Sequence, residues 1–194
     1  GQPLRRWAWY PAGVAWALQA RGLAVPGLDA VLSSDVPRGS GLSSSAAVEV
    51  AFAMAWQQLG SWQLAPMELA LTCQRAENQY VGVNSGIMDQ FASACGQAGQ
   101  ALLLDCRSLA WETVPVPADT AIVVADTTKR RELGQSEYNA RRAQCEEAVR
   151  VLSQVLPGIR ALRDVSGYKP PDRGMSTHVD RVTERTRALK NGGL

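Results

Sequence analysis

Apolar positions recur along this chain with two periods, and each period predicts its own kind of element. A three-to-four-residue spacing predicts helices: one starting near Pro11 with Val14 and Leu18 turned to a core, then residues 43–59, 66–80, 87–95 and 136–156. In the last of these Tyr138, Ala148, Val151, Leu152 and Val155 are partly periodic. Gly60 reads as a C-terminal stop, and Pro66 sits where a first helical turn tolerates proline. Short apolar or alternating runs predict strands at 28–34, 100–105 and 111–116, the last two as a hairpin, with 120–125 as a more buried strand. Residues 82–86 read as a loop, the Pro/Gly-rich stretch 167–174 as a connection, and 178–189 as a final helix with charged outer faces. Helices and strands mix without strict βαβ order, so the pattern predicts an α+β fold.

The strongest local signal is Pro37-Arg38-Gly39-Ser40-Gly41-Leu42-Ser43-Ser44-Ser45-Ala46-Ala47, which runs straight into an apolar helix. Gly39 and Gly41 permit a tight bend with positive φ. The first helical turn beyond them leaves N–H groups without partners, so loop and helix together form a cradle for an anion such as a nucleotide's phosphates. No Gly-Lys-Ser/Thr follows the glycines, so this is not a Walker A loop. A flexible Gly/Ser linker is the plainer alternative, and it would not lead directly into an apolar helix. Ser45 reads equally well as a helix N-cap, Glu77 as a solvated carboxylate on a helix face, and Asp89 as a cap or salt-bridge partner at a short helix.

Composition narrows the classes. The chain has 194 residues, 46% hydrophobic and 20% charged, ordinary values for a globular protein. A net charge of +2 is too small to argue for nucleic acid or an acidic membrane surface as a partner. Arg5-Arg6 before Trp7–Leu18 imitates a signal peptide, but Pro11 and Gly13 interrupt the apolar run, and a helix is the better reading. Cys73, Cys95, Cys106 and Cys145 lack metal-ligand or redox-pair spacing and read as buried or half-buried thiols in a reducing compartment. His178, the one histidine, has no activated-serine elbow to serve. The six tryptophans read as packing residues.

Four blocks then carry a resemblance: the glycine-serine loop; Ala76 onward to Gly86-Ile87-Met88-Asp89-Gln90-Phe91; Ala101 to Ser108; and Ser136-Glu137-Tyr138-Asn139-Ala140-Arg141-Arg142. With Trp7-x-x-Tyr10-Pro11-x-Gly13-Val14, they resemble the GHMP sugar and small-molecule kinases, and within them the galactokinase branch. The resemblance implies an α+β GHMP kinase fold. It puts an N-terminal domain of the ribosomal-protein-S5-domain-2-like type, without its first strands, over 1–126. A linking helix and the start of the second domain follow over 127–194. It implies a cytoplasmic, ATP-dependent phosphorylation of D-galactose to galactose 1-phosphate, with no nucleic acid or membrane partner. Residue by residue, it implies ATP binding by Gly39, Ser40, Gly41, Leu42, Ser43, Ser44 and Ser45. Ser45 and Glu77 match the Mg2+ ligands, Asp89 the catalytic carboxylate beside the sugar, and Tyr138 a sugar contact.

Lys129, Arg130 and Arg131 could lean toward the nucleotide or form a solvated loop, and Arg107 and Ser108 match positions near the nucleotide region. Ser85 stands where the family usually has cysteine, a nearly isosteric change expected to matter little. The family's Arg-Val-Asn-x-x-Gly-Glu-His-x-Asp-Tyr segment and its C-terminal glycine-rich motif have no match here, so the chain resembles the middle half of a galactokinase and is expected to show no turnover by itself. Three other readings remain: a non-catalytic sugar sensor, an inactive truncated product, and a GHMP kinase for another sugar. The complete Ser43-Ser44-Ser45-Ala46-Ala47 run favours a kinase over the sensor.

Overall fold

The computed structural model describes residues 6–125 and 134–165. It divides the chain into two compact units, Gly1–Gln144 and Cys145–Leu194. The basic triplet 129–131, the connection 167–174 and the helix expected at 178–189 with His178 lie outside the described residues.

Three helices build the main core of the first unit. They are α1 (Trp9–Gln19), α2 (Ser44–Leu59) and α3 (Pro66–Ala76). Val14, Ala17 and Leu18 of α1 meet Val50, Ala53 and Trp56 of α2 and Leu69, Cys73 and Ala76 of α3, all at helical spacing and all buried. Small residues set how closely these helices pack. A side chain on Gly13 would meet the Tyr80 Cβ at 3.2 Å and the Ala76 carbonyl at 3.3 Å. The absence of a side chain there lets α1 lie against the turn that carries Glu77. Gly60 ends α2 as expected, but with an ordinary negative φ of −84° rather than a left-handed one. Its value is space: a Cβ there would lie 2.6 Å from the Ala24 carbonyl, which accepts a hydrogen bond from the Trp62 indole.

The helix expected over 66–80 changes character at its C-terminal end. After Ala76 it widens into a π turn, Glu77–Val81, closed by the N–H groups of Gly82 and Val83 donating to the Glu77 carbonyl at 3.0 and 3.1 Å. Such turns re-aim side chains and recur at functional sites. Residues 82–86 are the expected loop, and α4 (Met88–Cys95) follows. Ile87, Phe91 and Cys95 form a second core with Ala70 of α3. The hairpin also forms: β1 (Gln100–Leu104) pairs antiparallel with β2 (Trp111–Pro115), with Leu102 opposite Thr113. Its Leu102 and Leu104 pack on the second core, and Trp111 stacks edge-on against Phe91 at 5.5 Å. Helix α5 (Gly134–Leu152) starts in the first unit; beyond it the second unit has a 3-10 turn, Leu162–Asp164.

Two expected strands are corrected. Residues 28–34 and 120–125 carry no ladder hydrogen bonds, because the described residues supply no strand to pair with either. Val31 is 99% exposed and Val123 88%, the reverse of the buried strand read at 120–125. Strand formation needs a partner, and propensity alone does not supply one. The cysteines divide as well: Cys73 and Cys95 are buried, whereas Cys106 and Cys145 are exposed, and all four are free thiols. Burial pushes the Cys73 and Cys95 thiols up, which makes them inert packing residues.

Candidate active site

The glycine-serine segment forms the loop that its composition predicts. Gly39 and Gly41 take φ of 74° and 82°, and Ser43 follows at 57°, so three alternate residues are left-handed. Backbone of this kind forms concave nests of N–H groups suited to anions. Ser43 occupies the N-cap position of α2 without a side-chain capping bond. Ser45 therefore lies inside the first turn, which corrects the capping reading for it. The Ser40 hydroxyl donates to the Pro37 carbonyl at 2.9 Å and ties the loop to itself.

A cavity of about 560 Å³ opens beside this loop, within the usual range for small-ligand sites. Gly39, Gly41, Ser43, Ser44 and Ser45 line it together with Glu77, Ser85, Asp89 and Tyr138. Ser40 and Leu42 do not line it. Arg107 and Ser108 do not either: their N–H groups donate to the Asp105 carboxylate at 2.7 and 3.1 Å and shape the hairpin loop. Sequence reasoning missed Arg6, Trp7, Tyr10 and Arg38, which also line the cavity. Arg38 stands inside the glycine-serine motif and was the legible one, since a guanidinium beside a phosphate loop is a natural anion partner.

Glu77 is not the solvated carboxylate of the plainer reading; it is 6% exposed. Its Oε2 accepts the Gln90 amide at 2.9 Å and a short hydrogen bond from the Ser85 hydroxyl. Its Oε1 accepts no hydrogen bond among the described residues. The Gln74 and Asn78 amides donate to the Ser85 carbonyl at 3.2 and 3.3 Å and hold Ser85 in place. Behind Glu77 sits Glu49, fully buried, which accepts the second Gln90 N–H at 2.9 Å. Burial first, and then the negative charge of Glu77, push the Glu49 carboxyl up to about 9.

Asp89 is the second residue of α4, a position where the helix dipole favours a carboxylate. It is half-buried, and among the described residues it makes no hydrogen bond or ion pair, which sets aside the capping and salt-bridge readings. Tyr138 comes from α5: its hydroxyl accepts the Gly86 N–H at 3.2 Å, leaving its own proton free to donate into the cavity. Asn139 braces the same loop, accepting the Asn84 N–H at 3.0 Å and donating to the Gly82 carbonyl at 3.1 Å. The Arg142 guanidinium donates to the Asn84 carbonyl at 3.2 Å. Asn139 and Arg142 are bracing residues whose function was not legible in the motif, because their partners are backbone groups of a distant loop.

The donor set bears on magnesium. Ser45 and Glu77 offer hard oxygens to one cavity, and no cluster of three or more His, Cys, Asp or Glu among the described residues could cage a metal. Mg2+ keeps several waters and takes the rest of its shell from phosphates, so one hydroxyl and one carboxylate fit it.

Residues 10–97 match the model of the GHMP kinases N terminal domain. The chain is 50% identical over 193 residues to the galactokinase of Chloroflexus aurantiacus, covering 95% of this chain and 50% of that protein. It is 53% identical to the galactokinase of Chloroflexus aggregans, with the same coverage of each chain. The crystal structure of Lactococcus lactis galactokinase complexed with galactose superposes with a TM-score of 0.71 at 33% identity, over 85% of this chain and 43% of that one. The chain spans about half the length of the curated relatives it matches.

Proposed function

We propose that this chain, a relative of galactokinases built on the GHMP kinase N-terminal fold, carries the phosphate cradle, metal ligands and catalytic carboxylate of an enzyme that transfers the γ-phosphoryl group of ATP to the C1 hydroxyl of D-galactose. The observation that carries the reading is convergence. The left-handed loop, Glu77, Asp89 and Tyr138 come from four separate segments and line one cavity.

Phosphoryl transfer asks the protein chiefly for positioning and charge neutralisation. The N–H groups of the Gly39–Ser45 segment and the first turn of α2 receive the phosphates, with Arg38 adding positive charge. Ser45 Oγ and Glu77 Oε1 would hold Mg2+, which would supply neutralisation of the phosphate charge. Asp89 faces the cavity unencumbered, so it can orient the sugar hydroxyl and accept its proton as the oxygen–phosphorus bond forms and the bond to ADP breaks. A carboxylate is a weak base, so alignment contributes more than proton removal. Tyr138 donates to a second sugar hydroxyl. Galactose is assigned as the sugar on the relatives' names and on the galactose in the Lactococcus lactis complex. Four free thiols suit a reducing, cytoplasmic compartment.

The test is ATP-dependent formation of galactose 1-phosphate by the protein carrying this chain, with and without Asp89→Asn. The substitution is expected to lower kcat by about 100- to 10,000-fold, with ATP affinity kept. Equal turnover in the two proteins refutes the assignment of Asp89.

A further inference from the structure

Behind the cavity, the carboxyl of Glu49 and the amide of Gln90 are both fully buried, and neither residue lines the cavity. The Gln90 nitrogen gives one proton to Glu49 Oε2 and the other to Glu77 Oε2, each at 2.9 Å. The remaining oxygens, Glu49 Oε1 and Gln90 Oε1, have no partner among the described residues. A polar pair present for stability alone would be satisfied at every atom, because orphaned buried polar atoms are costly, and an apolar pair of the same shape would pack at less cost. This bridge satisfies only the atoms that lead to Glu77.

We propose that Glu49 is a positioning residue: by holding one N–H of Gln90 it fixes the amide plane, so that the other N–H pins Glu77 Oε2 and leaves Oε1 turned to the cavity. The inference rests on the reading of Glu77 as a metal ligand. Glu77 Oε2 then has two donors, Gln90 and Ser85, arriving from different elements. A carboxylate held this way loses little freedom on taking a cation, and partners one shell out from a metal commonly change its affinity by about 10- to 100-fold. Glu49 itself is sealed from the cavity, so it is neither a ligand nor a base. What the role demands of residue 49 is therefore an acceptor oxygen at that place, and a glutamine supplies one.

The experiment measures ADP binding to the 194-residue chain by calorimetry, with Mn2+ and with EDTA, and follows folding by circular dichroism melts. Glu49→Gln is expected to keep Mn2+-dependent binding within about twofold of the parent, whereas Glu49→Met and Gln90→Met each lose about tenfold. The double Met variant loses no more than either single one, since both break the same bridge. Binding in EDTA is unchanged throughout, which separates metal positioning from damage to the phosphate loop. Gln90→Met carries the test alone should Glu49→Met fail to fold. Met variants within twofold of the parent, or a Gln variant as impaired as the Met ones, overturn the inference and leave the metal reading standing. A parent chain that binds ADP equally with Mn2+ and with EDTA overturns the metal reading and this inference with it.

Discussion

Replacing Gly41 with valine puts a β-branched side chain where the backbone φ is 82° and where the residue lines the cavity. Two costs follow, and they can be separated. The first is conformational: an L-residue held in the left-handed region costs about 1–2 kcal/mol, and a β-branched one lies at the upper end. In a chain of this size that lowers Tm by about 2–8 °C. The second is local: on the proposed cradle the side chain would stand where a phosphate approaches backbone N–H groups, and loss of that approach should weaken ATP binding at least tenfold, about 1.4 kcal/mol. Gly22 provides the control. It has a φ of 74°, a Cβ placed on it would meet nothing within 4 Å, and it does not line the cavity. Gly22→Val should therefore show the same loss of Tm with ATP affinity intact. Thermal melts and ATP titrations on the two variants decide the matter. A folded Gly41→Val protein that binds ATP as the parent does refutes the cradle, and an affinity loss of equal size in Gly22→Val shows that strain rather than location was responsible.

For the metal pair, Ser45→Ala and Glu77→Ala should each raise the Mg2+ concentration needed for half-maximal nucleotide binding by about tenfold or more, and Ca2+ should substitute poorly because it tolerates looser geometry; unchanged Mg2+ titrations refute the pair. For Glu49, the unfolded chain ionises near 4.5 and the folded chain holds the proton to about 9. Between those values unfolding releases a proton, so this residue makes stability fall as pH rises, by up to about 1.4 kcal/mol per pH unit. Glu49→Gln removes that slope, so denaturant unfolding should show its advantage over the parent growing from pH 5 to pH 8, and a constant difference refutes the raised pKa.

Much of this molecule was written in local pattern. The helices α1 to α4 and the hairpin follow from apolar spacing, because each buries a face its own sequence defines. The left-handed loop was legible because glycine at 39 and 41 takes positive φ at little cost just ahead of a helix start. Matching motifs named Ser45, Glu77, Asp89 and Tyr138, and the structure brings all four to one cavity. The strands expected at 28–34 and 120–125 mark the limit of that reading: their composition suits a ladder, but a ladder belongs to two segments, and among the described residues neither run finds its second. Tertiary structure alone decided that Glu77 is buried in a π turn rather than solvated on a helix face, since α4 and the 82–86 loop bring Gln90 and Ser85 against it. It alone joined Glu49 to Glu77 through Gln90. Those residues lie 41 and 13 positions from the glutamine that links them, and two protons on one amide nitrogen can choose their acceptors only once three helical segments have packed together.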